Sequence, residues 1–368
     1  MDFWKTAGKV HQGLKIAQGV KKANGLPSAE IAMSGFFDRR LSTVPSFLEG
    51  LYGHIQKSRD DLPRLAKRKT FHFPSGENTL QGYYYPAKNP KALVLCCHGL
   101  NGMADDNFSL CIDALLRRNY AVVALDLSAS GRSSGLRISG LHQGALDVNA
   151  LERYIANSRE LSEMPLLLLG HSWGAYSVSA STYFDQTPLA VCALSGFSCP
   201  IDVMLSIPAK AVGGGIVQIT EPAMREALEK RAGPYYNLAA DEAIERAVNT
   251  DFFIIHGSLD TTIVIELASL WRKFQHQSIE RIWTYMDTGK RHMDIWLTRQ
   301  AASLFEEVVA RGKPLVKEYG KNLNKWPKNV LQGYLGSFDK EKINTVDEEL
   351  FDQIDSFYEK ALKRHEAK

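Results

Sequence analysis

Short, uninterrupted apolar runs constrain this chain more than any other feature. The first is Ala92-Leu93-Val94-Leu95-Cys96-Cys97, and three more follow at 120–125, 165–169 and 189–194. A strand with one wet face alternates apolar and polar residues, so an unbroken run belongs to a strand covered on both faces. Residues 251–255 and 281–285 extend the series. Gly82-Tyr83-Tyr84-Tyr85-Pro86 supplies an earlier strand that ends at a proline. Helical segments lie between the runs, near 106–118, 142–158, 173–184, 263–275 and 293–311. Strands alternating with helices of this length predict a doubly wound, mostly parallel α/β sheet with helices on both faces.

The alternation breaks once, between Gly196 and Val248. That stretch carries Pro200, Pro208, Gly213-Gly214-Gly215, Pro222 and Pro234, with room for a helix near 221–231. It is too long for a simple crossover, so 196–245 reads as an inserted helical lid between core segments 70–195 and 246–312. Residues 1–69 read as an N-terminal helical extension, with Val10, Leu14, Ala17 and Val20 at helical spacing among five lysines. Such a stripe either packs on its own domain or makes weak peripheral contact with an anionic membrane. Gly8, Gly13 and Gly19 weaken it. Residues 313–368 are charged, and Val346, Leu350, Ile354, Phe357 and Leu362 predict one more amphipathic helix in a C-terminal extension.

Lys and Arg number 44 against 41 Asp and Glu, a net charge of +3 that makes no electrostatic case for a nucleic-acid partner. Cys96, Cys97, Cys111, Cys192 and Cys199 are odd in number and show no metal-ligand spacing. They read as reduced core residues of a cytoplasmic protein. The N-terminal residues lack the apolar stretch of a secretory signal, and no window has the length of a transmembrane helix.

The sharpest local signal is Gly170-His171-Ser172-Trp173-Gly174, placed between an apolar strand and a helix. In that setting the turn is so tight that its flanks accept only small residues, and the serine stands exposed at the carboxyl end of the sheet. A serine hydroxyl needs a base, and the base needs an orienting acid. Downstream, the run at 252–255 leads into His256-Gly257-Ser258-Leu259-Asp260, and Thr288-Gly289-Lys290-Arg291-His292 follows the next helix and strand. Ser172, Asp260 and His292 are therefore the expected nucleophile, acid and base, with Asp287 and Asp294 as competitors for the acid. An oxyanion needs backbone N–H donors. These fall to Trp173, next after the serine, and to Leu100 in the loop Cys97-His98-Gly99-Leu100-Asn101-Gly102. The side chains of Leu100 and Trp173 are then expected to line the substrate pocket, and His98 to be a structural residue of its loop. Nucleophile, base and oxyanion donors all come from the chain, so neither metal nor organic cofactor is expected.

These residues resemble the α/β-hydrolase superfamily over about 70–312. Within it the chain looks most like the monoacylglycerol lipase and lysophospholipase group, also called serine aminopeptidase-like hydrolases. That pattern has an HG loop, D-x-x-G-x-G-x-S-x-G, G-x-S-x-G, HGxxDxxV and a late histidine. Here the second segment is Asp126-Leu127-Ser128-Ala129-Ser130-Gly131-Arg132-Ser133-Ser134-Gly135, which departs at Ala129, where the pattern has glycine. The resemblance implies the α/β-hydrolase fold and an acyl-enzyme mechanism. The expected substrate is a small-molecule carboxylic ester; the apolar stretches at 201–207 and 216–219 suggest a lipid-like acyl chain. Amide, peptide or thioester hydrolysis and acyl transfer remain open to the same residues. A non-catalytic binding module is disfavoured, since such a module normally loses one member of the triad.

Overall fold

The computed structural model describes residues 37, 47–184, 187–212 and 214–366, without the side chains of 48–49 and 207–220. The lysine-flanked stripe at 10–20 and its expected membrane contact lie outside the described residues.

The apolar runs pair into one sheet. Its strands are β1 (Lys69–Ser75), β2 (Asn78–Tyr85), β3 (Leu93–Cys97), β4 (Ala121–Leu125), β5 (Leu166–His171), β6 (Ala190–Leu194), β7 (Asp251–Gly257) and β8 (Ile282–Asp287). Their spatial order is β1-β2-β4-β3-β5-β6-β7-β8. Every pair from β4 to β8 is parallel, while β2 runs antiparallel to β4 and β1 antiparallel to β2. The chain moves from β3 to β4 on one side and then to β5 on the other. Helices then diverge at the carboxyl ends of β3 and β5, which leaves a crevice there.

Side chains leave β3 alternately: Leu93, Leu95 and Cys97 enter one core, Val94 and Cys96 the other. In β5, Leu166 and Leu168 join the first core, and Leu167 and Leu169 the second. This is why the runs lack polar residues. Burying each such side chain contributes about 1.5–3 kcal/mol before entropy is counted.

The helices used below are α1 (Phe47–Ile55), α2 (Ser109–Arg117), α3 (Gln143–Ala156), α4 (Trp173–Ala180), α5 (Pro200–Val212), α6 (Gly214–Ala232), α7 (Ala240–Arg246), α8 (Leu270–Phe274), α9 (Arg299–Tyr319), α10 (Lys328–Gly336) and α11 (Glu348–Glu366). The first core lies under α3 and α4, through Val148, Leu151, Ile155, Tyr176 and Val178. The second lies under α2 and α11, through Ile112 and Leu115 on one side and Leu350, Phe351, Ile354 and Tyr358 on the other. The Tyr358 hydroxyl also donates to the Leu168 carbonyl at 2.7 Å. The C-terminal segment, expected as an extension, thus covers a face of the sheet. A smaller third core joins Phe47 and Leu51 of α1 to Val308 and Val309 of α9 and Tyr334 of α10.

Two expected helices are corrected. The segment at 263–275 is not continuous, because Ser269 adopts an extended conformation (φ −64°, ψ 133°) and breaks it. The helix expected at 293–311 begins at Arg299 and continues to Tyr319, so it crosses the expected boundary at 312/313. Between β6 and β7 the chain forms α5, α6 and α7. Ile201, Val203, Met204, Leu205, Met224, Ala227 and Leu228 of this insert are buried in the first core.

Candidate active site

Ser172 sits between the last residue of β5 and the first of α4 with φ 58° and ψ −118°, a conformation that L-residues avoid. The flanking glycines make it possible. A Cβ at position 170 would lie 2.3 Å from the Gly174 carbonyl oxygen, and one at position 174 would lie 2.1 Å from that of Cys97. Both values are far inside van der Waals contact, so the turn closes only around hydrogen at these positions. The Ser172 amide donates to the Leu194 carbonyl at 2.9 Å, which pins the elbow to β6.

The structure brings together the three side chains singled out from the sequence. His292 Nε2 lies 2.8 Å from Ser172 Oγ, and His292 Nδ1 lies 2.7 Å from Asp260 Oδ2. Asp260 and His292 are each 6% exposed, and Ser172 is partly exposed. The other Asp260 oxygen, Oδ1, accepts from the Thr262 and Ile263 amides at 2.7 and 3.0 Å. Burial pushes the Asp260 carboxyl up. The charge and hydrogen bond of His292, the nearby His256 and the Ile263 amide more than offset this and bring it down to about 2. It is a carboxylate throughout the neutral range, able to hold Nδ1–H and leave Nε2 free to accept from the serine.

Asp287 and Asp294 are committed elsewhere. Asp294 is bound by the amide and guanidinium of Arg291 at 2.5 and 2.8 Å, and Asp287 faces Lys290 and Arg299, each at 4.0 Å.

The loop after β3 abuts the serine: a Cβ on Gly99 would stand 3.2 Å from Ser172 Cβ. Gly102 donates to the Gly99 carbonyl at 3.0 Å, closing a turn around Leu100 and Asn101. The Leu100 side chain is half-buried against the first core. His98 accepts the Leu127 amide at Nε2 (3.2 Å), and its Nδ1 donates to the Gly99 carbonyl (2.7 Å). Burial pushes its pKa down, so the ring stays neutral and ties this loop to the end of β4. The Trp173 ring, expected to line a pocket, is 1% exposed and donates from Nε1 to the Leu141 carbonyl at 2.6 Å. It packs between α3 and α4 and presents little accessible wall.

Two further histidines stand at the site without having been singled out. His171 has the same parity on β5 as Leu167 and Leu169, so it points to the second core. There its Nε2 donates to the His292 carbonyl at 2.8 Å, and its ring meets Trp296 edge-on at 4.7 Å between centroids. Burial, with the adjacent His292, brings its pKa down to about 3. His256, at the end of β7, places Nε2 3.4 Å from Asp260 Oδ2. Strand parity is the signal that could have found His171. It occupies the variable position of the pentapeptide, where motif reading gives no weight. Among the described residues, no group of three or more His, Cys, Asp or Glu is placed to hold a metal ion.

A family profile described as serine aminopeptidase, S33, matches residues 88–281, just over half of the chain. The chain belongs to that family. The matched span contains Ser172 and Asp260 and ends before His292. No curated protein matches the chain. Among solved structures, a Pyrococcus furiosus esterase aligns at 18% identity and a TM-score of 0.50, covering 71% of this chain and 94% of its own. That likeness shows the α/β-hydrolase fold. A Xanthomonas campestris serine hydrolase without a lid aligns at 12% identity (TM-score 0.43, covering 62% of this chain and 87% of its own). A Butyrivibrio proteoclasticus protein with bound ferulic acid aligns at 16% identity (TM-score 0.44, covering 61% and 91%). The hydrolase described here has no helix, among its described residues, long and apolar enough to cross a membrane.

Proposed function

We propose that this hydrolase cleaves carboxylic esters through an acyl-enzyme on Ser172. The observation that carries the reading is the continuous line Asp260 Oδ2–His292 Nδ1 at 2.7 Å and His292 Nε2–Ser172 Oγ at 2.8 Å, ending on a serine held at φ 58°. In this reading Oγ attacks the ester carbonyl as His292 Nε2 takes its proton. The oxyanion is held by the amides of Trp173 and Leu100. The carbonyl re-forms as the C–O bond breaks, and the imidazolium returns its proton to the departing alkoxide. Water, deprotonated by the same nitrogen, then attacks the acyl-enzyme and releases the acid. No step calls for a metal or organic cofactor. The buried apolar residues of α5 and α6 support a lipid-like acyl chain under an insert at 196–245 that acts as a lid. The five cysteines, all free and buried, support a reducing, cytoplasmic setting.

A fluorophosphonate probe should label Ser172, and turnover of p-nitrophenyl esters should rise with acyl length before falling. No labelling would exclude the mechanism, and a flat chain-length profile would exclude only the lipid-like substrate. The family's description as serine aminopeptidases favours one second reading, peptide hydrolysis by the same residues. Faster turnover of aminoacyl p-nitroanilides than of the matched esters would establish it.

A further inference from the structure

His292 is carried by the loop 288–298, which joins β8 to α9. Two residues before it stands Lys290, whose side chain is 1% exposed. Its ammonium donates to the Leu297 carbonyl and, at 2.8 Å, to Asp347 Oδ2, while Asp287 Oδ2 lies further off at 4.0 Å. Its main chain is lodged against the loop of the acid. The Lys290 carbonyl accepts the Leu259 amide at 2.8 Å, and a Cβ on Gly257 would stand 2.5 Å from that carbonyl oxygen. Lys290 therefore meets the Asp260 loop with its main chain and the C-terminal segment with its side chain. The neighbouring Arg291 turns elsewhere, to Asp294 within the loop and to Glu306 of α9.

Asp347 stands immediately before α11. Its Oδ1 accepts the Leu350 amide at 3.3 Å, the bond a helix cap makes. Around it the chain pairs with the histidine loop. The Asp347 amide donates to the Trp296 carbonyl and the Thr298 amide to the Thr345 carbonyl, each at 2.9 Å, and Leu297 pairs antiparallel with Val346. From this end α11 runs across the second core to Tyr358, which donates to Leu168 of β5, the strand that leads into Ser172. One helix thus touches the strand of the nucleophile and, through its cap, the loop of the base.

A buried ion pair adds little net stability over apolar residues of similar volume, but separating its members is costly, so it holds two surfaces in one register. We infer that Lys290 and Asp347 are positioning residues, whose ion pair seats the His292 loop against the start of α11 so that Nε2 meets Ser172 Oγ. The inference rests on the reading of Ser172, His292 and Asp260 as nucleophile, base and acid. Both residues act through His292, and the C-terminal segment becomes part of the machinery that aims the base.

The test is turnover of a p-nitrophenyl ester by the full chain carrying Lys290→Met, which keeps the side chain's length and leaves Asp347 part-exposed to water. With the base displaced, kcat should fall about 10–100-fold, while KM changes by less than about threefold. Asp347→Asn should lower kcat in the same way, since asparagine caps a helix as well as aspartate does and only the ion pair is lost. Asp347→Asn should add nothing in the Lys290→Met background. In a His292→Ala background, Lys290→Met should leave the residual turnover unchanged. Folded Lys290→Met with kcat within about threefold of wild type overturns the inference, as does a loss confined to KM. Additive losses in the double variant, or a further loss in the His292→Ala background, overturn it too. If Lys290→Met does not accumulate as folded protein, Asp347→Asn carries the test on the same terms. Fluorophosphonate labelling separates the two levels. Wild type unlabelled at Ser172 removes the triad and this inference together, whereas normal labelling of wild type with undiminished kcat in the variants removes this inference alone.

Discussion

Six non-glycine residues among those described have positive φ, and two of them, Ser172 and Ala129, do so on different terms. Ser172 is at φ 58°, and Ala129, in the loop after β4, is at φ 60°. Each conformation costs roughly 1–2 kcal/mol relative to glycine. At the elbow the strain is imposed by a strand, a helix and two glycines, and it lifts Oγ toward His292. At Ala129 the loop is also well held. Its amide donates to the Ser134 carbonyl at 3.0 Å, and the neighbouring Ser128 amide donates to Asp147 at 2.7 Å. No side chain of the site depends on the methyl group. The serine's strain places a hydroxyl 2.8 Å from the His292 ring, while the alanine's strain places no side chain of the site.

Substitutions at the elbow sharpen this contrast most. Ser172→Ala should lower ester turnover by at least about 10³-fold with the fold intact by circular dichroism. Ser172→Gly should be equally inactive and yet more stable by about 1 kcal/mol in urea unfolding. A variant keeping a tenth of wild-type kcat would exclude Ser172 as nucleophile. Next comes the acid. Asp260→Asn preserves shape but favours the wrong tautomer of His292, so kcat should fall by about 10³–10⁴. Asp287→Asn and Asp294→Asn should each cost less than about tenfold in the same assay.

The third test separates the two turns by pH. Buried His171 is brought down to about 3 and buried His142 to about 4, below the ordinary value near 6.5 in the unfolded chain. The unfolded chain therefore binds protons that the folded chain refuses. Stability falls as pH drops from about 6.5 toward those values, by roughly 1.4 kcal/mol per pH unit for each ring. Asp260, brought down to about 2, loses its contribution as pH falls further, between about 4 and 2. Asp147 beside Ala129 runs the other way. Burial raises its carboxyl against the pull of its hydrogen bonds, so the folded chain holds that proton more tightly and acid favours it. Urea midpoints at successive pH values should fall below pH 6.5 and flatten in His171→Gln; an unchanged slope would contradict the assignment. Smallest of all, Ala129→Gly should raise stability by about 0.5–1 kcal/mol and leave kcat/KM unaltered. Lost activity there would show that the second turn serves the site after all.

What could be read in the sequence follows from what each segment packs against. Strands β3 to β7 were legible because sheet residues buried on both faces leave a continuous apolar run, whereas β8 is a part-exposed edge strand marked only by Ile282, Trp283 and Tyr285. β1 was not, because Phe71 and Phe73 alternate with His72 and Pro74 on a half-exposed edge. The break at Ser269 was hidden because Ile263, Leu267, Leu270 and Phe274 keep helical spacing across it, and a tertiary pairing with Phe197 decides the matter. The start of α9 was misplaced because Ile295 and Trp296 mimic a helical stripe while being buried in a turn before it. Ser172, Asp260 and His292 were legible as residues just beyond strand ends. The second ring near Asp260 was not, since motif reading counts His256 as part of a pattern rather than as a buried ring 3.4 Å from the acid.

The cover that α11 provides has a consequence for the chain while it is being made. The strands whose apolar face it covers emerge from the ribosome first, beginning with β3, roughly 250 residues ahead of Leu350. At typical synthesis speeds that interval is on the order of 10–50 s. Throughout it, Val94, Cys96, Leu167 and Leu169 have no partner from α11. Until α11 follows, the nascent sheet is thus a greasy surface without the cover that this helix supplies.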